Sequence, residues 1–200
     1  MLIHLVSALV FYSFLLLPTA FKFDFRRDVN RLATLKCLPI SSTAVTLGQL
    51  AVPVLLCTLF QTSVLLIALA TRPYHPGLLA LAVLVLVPTN VLIFSLENLI
   101  FLLYPYRLNQ EGLGVFFRSI LTFTGKGLLF AAGLAVVLLW AVVAHHLTSH
   151  MQLQASGRWN VPALLFMSGL WLLVTVAAVA ATSLLSHVYR RFDPSQDAPA

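Results

Sequence analysis

The sequence predicts an all-α polytopic integral membrane protein, with about five transmembrane helices and an interfacial helix in the first cytoplasmic loop. Two observations carry that fold class. Of the 200 residues, 60% are hydrophobic and 9% charged, against about a quarter charged in an ordinary soluble domain. The apolar residues also gather into runs of spanning length, separated by short polar breaks. No polar block is long enough to fold as a soluble unit, so residues 1–191 are expected to form one transmembrane domain, with 192–200 as a disordered cytoplasmic tail. The formal charge of +6 does not point to nucleic acid, because the basic residues sit in short loops beside apolar spans.

Leu2 to Ala20 is long enough to cross about 30 Å of hydrocarbon. A signal peptide carries its positive charge before the apolar core, whereas Lys22, Arg26 and Arg27 follow this one, so a retained span is expected. Next comes the one long polar-bearing run, Phe23 to Gln49. Within it Phe25, Val29, Leu32, Leu35 and Leu38 recur at helical spacing, while Arg26, Arg27, Asp28, Asn30, Arg31, Thr34 and Lys36 fill the other face. At the bilayer centre each of these cations would cost roughly 2.5 to 3.5 kcal/mol, so this helix lies along the interface. Leu38-Pro39 stops it, because proline lacks a backbone donor and pushes its predecessor out of the α region. Ser41-Ser42-Thr43 is the N-cap cluster expected to start the next helix.

The second span is expected from about Thr46 to Ala70, followed by a turn over Thr71 to Gly77 with prolines at 73 and 76. The third runs from about Leu78 to Leu103 and ends on the interfacial Tyr104-Pro105-Tyr106-Arg107. A loop through Asn109, Glu111, Gly112, Gly114 and Arg118 is expected next, with a short interfacial helix at Phe116, Phe117, Ile120 and Leu121. A fourth span follows from about Gly127 to Ala144, then a polar segment from His145 to Asn160, and a fifth span from about Val161 to Leu185 closed by His187, Tyr189, Arg190 and Arg191.

Counting basic residues by side sets the orientation. Lys22, Arg26, Arg27, Arg31, Lys36, Arg107, Arg118, Lys126, Arg190 and Arg191 fall on one side, against Arg72 and Arg158 on the other. Ten against two predicts a multi-pass protein of the cell (inner or plasma) membrane, N-terminus outside and C-terminus cytoplasmic.

Phe23-Asp24-Phe25-Arg26, Arg31-Leu32, Leu35-Lys36, Leu38-Pro39-Ile40-Ser41 and Leu47-Gly48-Gln49 together resemble the first cytoplasmic loop of ABC-2-type transporter permeases, closest to the putative ABC exporter group. The resemblance implies that this segment is a coupling helix, with Asp24, Arg26, Arg27, Arg31, Lys36, Leu38 and Pro39 contacting a separate ABC ATPase subunit. It implies further that the chain moves an unknown substrate outward using ATP and Mg bound by that partner. A second permease half, or a second copy in a homodimer, would complete it within the membrane lipid. Half-transporters of that group carry six spans after an interfacial helix, whereas this chain begins at the second. A truncated product, a fragment of a longer gene, or one piece completed by another polypeptide is therefore expected. The alternative is a non-transporting structural membrane protein, or a truncated remnant of such a permease.

No catalytic residue and no bound cofactor are expected in the chain itself. Gly125-Lys126-Gly127 lacks the upstream glycine and the following Ser or Thr of a phosphate-binding loop. Glu97 is the one acidic residue deep in an apolar segment, a functional candidate by default. It lies seven residues before Tyr104, hence about 10 Å from the interfacial end, where reaching the cytoplasmic edge or pairing with Arg107 is a structural role. Asn90 and Asn98, with Pro88 nearby, are expected to supply interhelical hydrogen bonds or a kink. His145, His146 and His150 invite a metal reading but have no Cys or carboxylate near in sequence, so an interfacial polar cluster is expected and no metal. An intramembrane enzyme would need Glu97 and a histidine at one depth, which the predicted topology opposes. Gly125, Gly127 and Gly133 are expected at close helix contacts. Cys37 and Cys57 are expected to be structural thiols.

Overall fold

The computed structural model of the chain describes residues 13, 25, 29–71, 76–103, 113–150 and 161–193. Among them the secondary structure is helical: α1 (Val29–Cys37), α2 (Ser42–Thr71), α3 (Pro76–Leu103), α4 (Leu113–His150) and α5 (Val161–Arg191). Four stretches, Ser42–Ile67, Ala80–Leu103, Ala131–Ser149 and Pro162–Arg191, are long and apolar enough to cross a bilayer. The chain is thus an all-α polytopic membrane protein. The expected first span lies outside the described residues apart from Ser13.

The boundary between α1 and α2 is built as the sequence predicts. Leu38-Pro39 breaks the helix, and the backbone N–H of Ile40 turns back to the Leu38 carbonyl at 2.7 Å. Ser41 Oγ then accepts the backbone N–H of Ala44 at 3.2 Å, which caps α2. Ser42 and Thr43 start the helix itself, and their hydroxyls each share a hydrogen bond with Ser186 Oγ of α5 at 3.2 Å.

α3 and α5 form the central pair, α2 packs on both, and α4 packs on α5. The buried positions of α2 are Thr46, Leu50, Pro53, Cys57 and Gln61, a single stripe at helical spacing. Phe94, Leu99, Phe101 and Leu102 of α3 meet Leu50 and Cys57 of α2 and Leu185 and Tyr189 of α5 in one core. That core gathers where α2 starts and where α3 and α5 finish. Phe25 and Leu32 are fully buried in it, with Leu35 half-buried against it. Phe25, Leu32 and Leu35 are therefore seated on the end of the bundle. Leu38, expected on the same face, is 43% exposed because the proline turn carries it away.

Several expectations are corrected at α4. Leu113 to His150 is one continuous helix of 38 residues, about 57 Å long. Gly114 is therefore helical, Phe116 to Leu121 form no separate interfacial helix, and His145, His146 and His150 are the last turns of α4. The 125–127 Gly-Lys-Gly step stays helical within it, ahead of the Ala131–Ser149 stretch that is apolar enough to cross a bilayer. Gly125, Gly127 and Gly133 are also not at close contacts, since a Cβ on any of them would meet nothing within 4 Å. The close approach is at Gly169 of α5, where a Cβ would collide with the indole ring of Trp140. The Trp140 indole N–H donates to the Phe166 carbonyl at 2.9 Å, fixing the ring over that glycine.

Similarly α5 runs on to Arg191, so His187, Tyr189 and Arg190 belong to the helix and do not follow it. Arg190 and Arg191 in its last turn favour the negative end of the helix dipole. Of the expected tail, Phe192 and Asp193 are described and 194–200 lie outside the described residues.

Candidate functional site

The elements that converge on the α1 end of the bundle build a site with three layers. Outermost is Lys36, in the last turn of α1. Its ammonium donates to the carbonyl of Phe192 and, at 3.4 Å, to that of Arg190. Carbonyls in the last turn of a helix have no partner within it, so a cation there satisfies them and offsets the dipole. Lys36 Nζ also stands 5.6 Å from the centre of the Tyr189 ring. The residue read from sequence as part of an outward basic face thus closes the end of α5, 154 residues away.

Beneath it the rings of Phe25 and Tyr189 stack at 5.2 Å with 17° between their planes. Phe25 sits in the turn before α1, and its backbone N–H donates to Asn98 Oδ1 of α3 at 3.1 Å. Asn98 Nδ2 donates to the Phe94 carbonyl at 2.9 Å, so both ends of the amide are used inside the core. Glu97, the preceding residue, is buried at the same end of α3. Tyr189 is 3% exposed, and its hydroxyl is buried without a hydrogen-bond partner among the described residues.

Deeper in the bundle lies a polar ladder. Asn90 Nδ2 of α3 donates to Thr58 Oγ1 at 3.0 Å and to Gln61 Oε1 of α2 at 2.8 Å, and Gln61 Nε2 donates to Ser13 Oγ at 2.9 Å. Ser95 of α3 and Thr182 of α5 share a further bond at 3.1 Å. Asn90 thus makes interhelical hydrogen bonds, whereas Asn98 bonds the turn at Phe25 and its own helix. Gln61 was not singled out by sequence, although a fully buried amide on an apolar helix is a signal that finds it.

The remaining expected residues separate. Of the proposed partner-contact set, Leu38 and Pro39 are exposed on the turn, Arg31 lies in the α1 helix, and Asp24, Arg26 and Arg27 lie outside the described residues. Arg107, considered as a partner of Glu97, lies outside them too. His145 and His146, with ring centres 6.2 Å apart, are at the opposite end of the bundle from Glu97. Among the described residues no three His, Cys, Asp or Glu come together as a metal-binding group. Cys37 is exposed beside the turn, Cys57 is buried, and both are free thiols. No family model matches the chain, and neither a curated protein nor a solved structure matches it.

Proposed function

We propose that the chain is the membrane-spanning subunit, or a fragment of one, of an ABC-2-type exporter, driven by ATP hydrolysed in a partner subunit. The observation that supports this reading most is the seating of α1. A short helix bearing Arg31 and Lys36 in sequence is joined to the start of α2 by a proline turn and fastened to the ends of α3 and α5. Force applied to α1 by a partner would reach three membrane helices at once. The route differs from simple tilting of α2, because the hydrogen bonds lead from Phe25 to α3 and from Lys36 to the end of α5.

The test is co-purification of the tagged chain from native membranes with a subunit that carries an ATP-binding loop, repeated with Arg26→Glu and Arg31→Glu combined. Recovery of that subunit, lost on charge reversal while the chain still inserts, supports the proposal. Recovery that survives charge reversal removes the basic face from the contact, and its absence from membranes rich in the chain favours the second reading. That reading is a non-transporting structural membrane protein. Its support is the ladder of Asn90, Thr58, Gln61 and Ser13, whose polar groups bond to one another and so hold helices together.

A further inference from the structure

We propose that the last two turns of α5 bind the headgroup of an anionic phospholipid whose acyl chains lie along the exposed face of the same helix. The inference stands apart from the exporter reading, since it uses neither an ATPase partner nor any movement of α1.

Leu172, Val176, Val179, Ser183, His187 and Arg190 follow one another at intervals of four, three, four, four and three, which places them on one face of α5. All six are exposed, and the apolar three are 59%, 62% and 63% exposed. The face therefore begins as hydrocarbon and ends in cations, with Arg191 also exposed beside Arg190. Val179 and Arg190 are eleven positions apart, hence about 16 Å along the helix axis, close to half of a hydrocarbon core of about 30 Å. An occupant that fits this face is apolar over the depth of one leaflet and negative at the end, with the two parts joined. An acidic phospholipid has that chemistry.

The surroundings favour an anion brought from outside the chain. Lys36 bonds the carbonyls of Arg190 and Phe192, which offsets the negative end of the helix dipole that would otherwise repel a phosphate. Lys36, Arg190 and Arg191 outnumber Asp193 at this end, and a guanidinium presents a fork that matches two phosphate oxygens. The turn from Cys37 to Ser41 is held against the same end of α5 from both sides, by Lys36 and by the bond of Ser42 to Ser186. Its Ile40 is 51% exposed. An open apolar side chain next to cations suits the boundary between acyl chains and headgroups.

Native mass spectrometry of the purified full chain in detergent, titrated with phosphatidylglycerol and with phosphatidylcholine of the same acyl chains, tests this. The anionic lipid is expected to bind about 25-fold more tightly, at about fivefold for each arginine. Arg191→Gln should reduce that preference to about fivefold, and Arg190→Gln combined with it should abolish the preference. Arg118→Gln, in the first turns of α4, should leave it intact, and glycerol phosphate, a headgroup without chains, should not displace the bound lipid. Equal binding of the two lipids by the unaltered chain would overturn the proposal, as would a preference that survives the double substitution or falls as far in Arg118→Gln. Displacement by glycerol phosphate at lipid concentrations would remove the apolar face from the site and overturn it too. Should the double variant fail to insert, Arg191→Gln alone carries the test.

Discussion

The backbone N–H of Phe25 is bonded to the side-chain oxygen of Asn98 at 3.1 Å, a contact between a turn and the middle helix of the bundle 73 residues later. Because the amide is buried, its loss is not made up by water. Asn98→Leu is expected to lower stability by about 1–3 kcal/mol, the range for a buried donor left without its acceptor. Unfolding of the detergent-solubilised protein by titration with a denaturing detergent measures it, and a change near zero would show that Phe25 finds another acceptor.

Trp140 and Gly169 set the distance between α4 and α5. A Cβ at 169 would collide with the indole, so Gly169→Ala must displace the ring or the helix. A loss of about 1–3 kcal/mol is expected, with a shift in tryptophan emission. Trp140→Leu should make Gly169→Ala nearly harmless, and a double-mutant cycle reads that coupling directly.

The Asn90–Gln61 bond should be worth less than its burial suggests. In a membrane the unfolded helices also find partners, so a double-mutant cycle with Asn90→Leu and Gln61→Leu is expected to give about 0.6 kcal/mol and no more than about 1.7 kcal/mol.

Cys37 is exposed and Cys57 buried, so a membrane-impermeant maleimide is expected to modify Cys37 alone in the folded protein. With the predicted orientation this happens in inside-out vesicles and not in right-side-out ones. Modification from the outer face would invert the topology.

How far the sequence reveals this molecule depends on the kind of interaction. α2, α3 and α5 are legible because a long apolar run is a one-dimensional signal, and the Leu38-Pro39 stop and the Ser41 cap because they act on neighbouring residues. The first part of α4 is misread as a loop and a short separate helix, since isolated glycines such as Gly114 and Gly127 punctuate the sequence without breaking the helix they lie in. Small residues mark close contacts as a class, yet which one does so depends on what faces it. Gly133 faces open space and Gly169 faces Trp140. Lys36 belongs to the polar side of α1 by period, but its long stem carries the ammonium to the end of α5, and no periodicity within α1 reports that helix.

α5 is joined by side chains to every other described helix: Ser186 to α2, Thr182 to α3, Phe166 and Gly169 to α4, and its last carbonyls to Lys36 of α1. It is also made after all of them. During synthesis α2 and α3 can pair through Asn90 and Gln61 as soon as both have entered the bilayer, whereas Ser95, Trp140 and Lys36 wait for a helix still on the ribosome. Assembly of these described helices is therefore decided when α5 enters the bilayer. A chain that stalls before α5 leaves α4 unanchored and α1 without its seat, which is the kind of intermediate that membrane quality control removes.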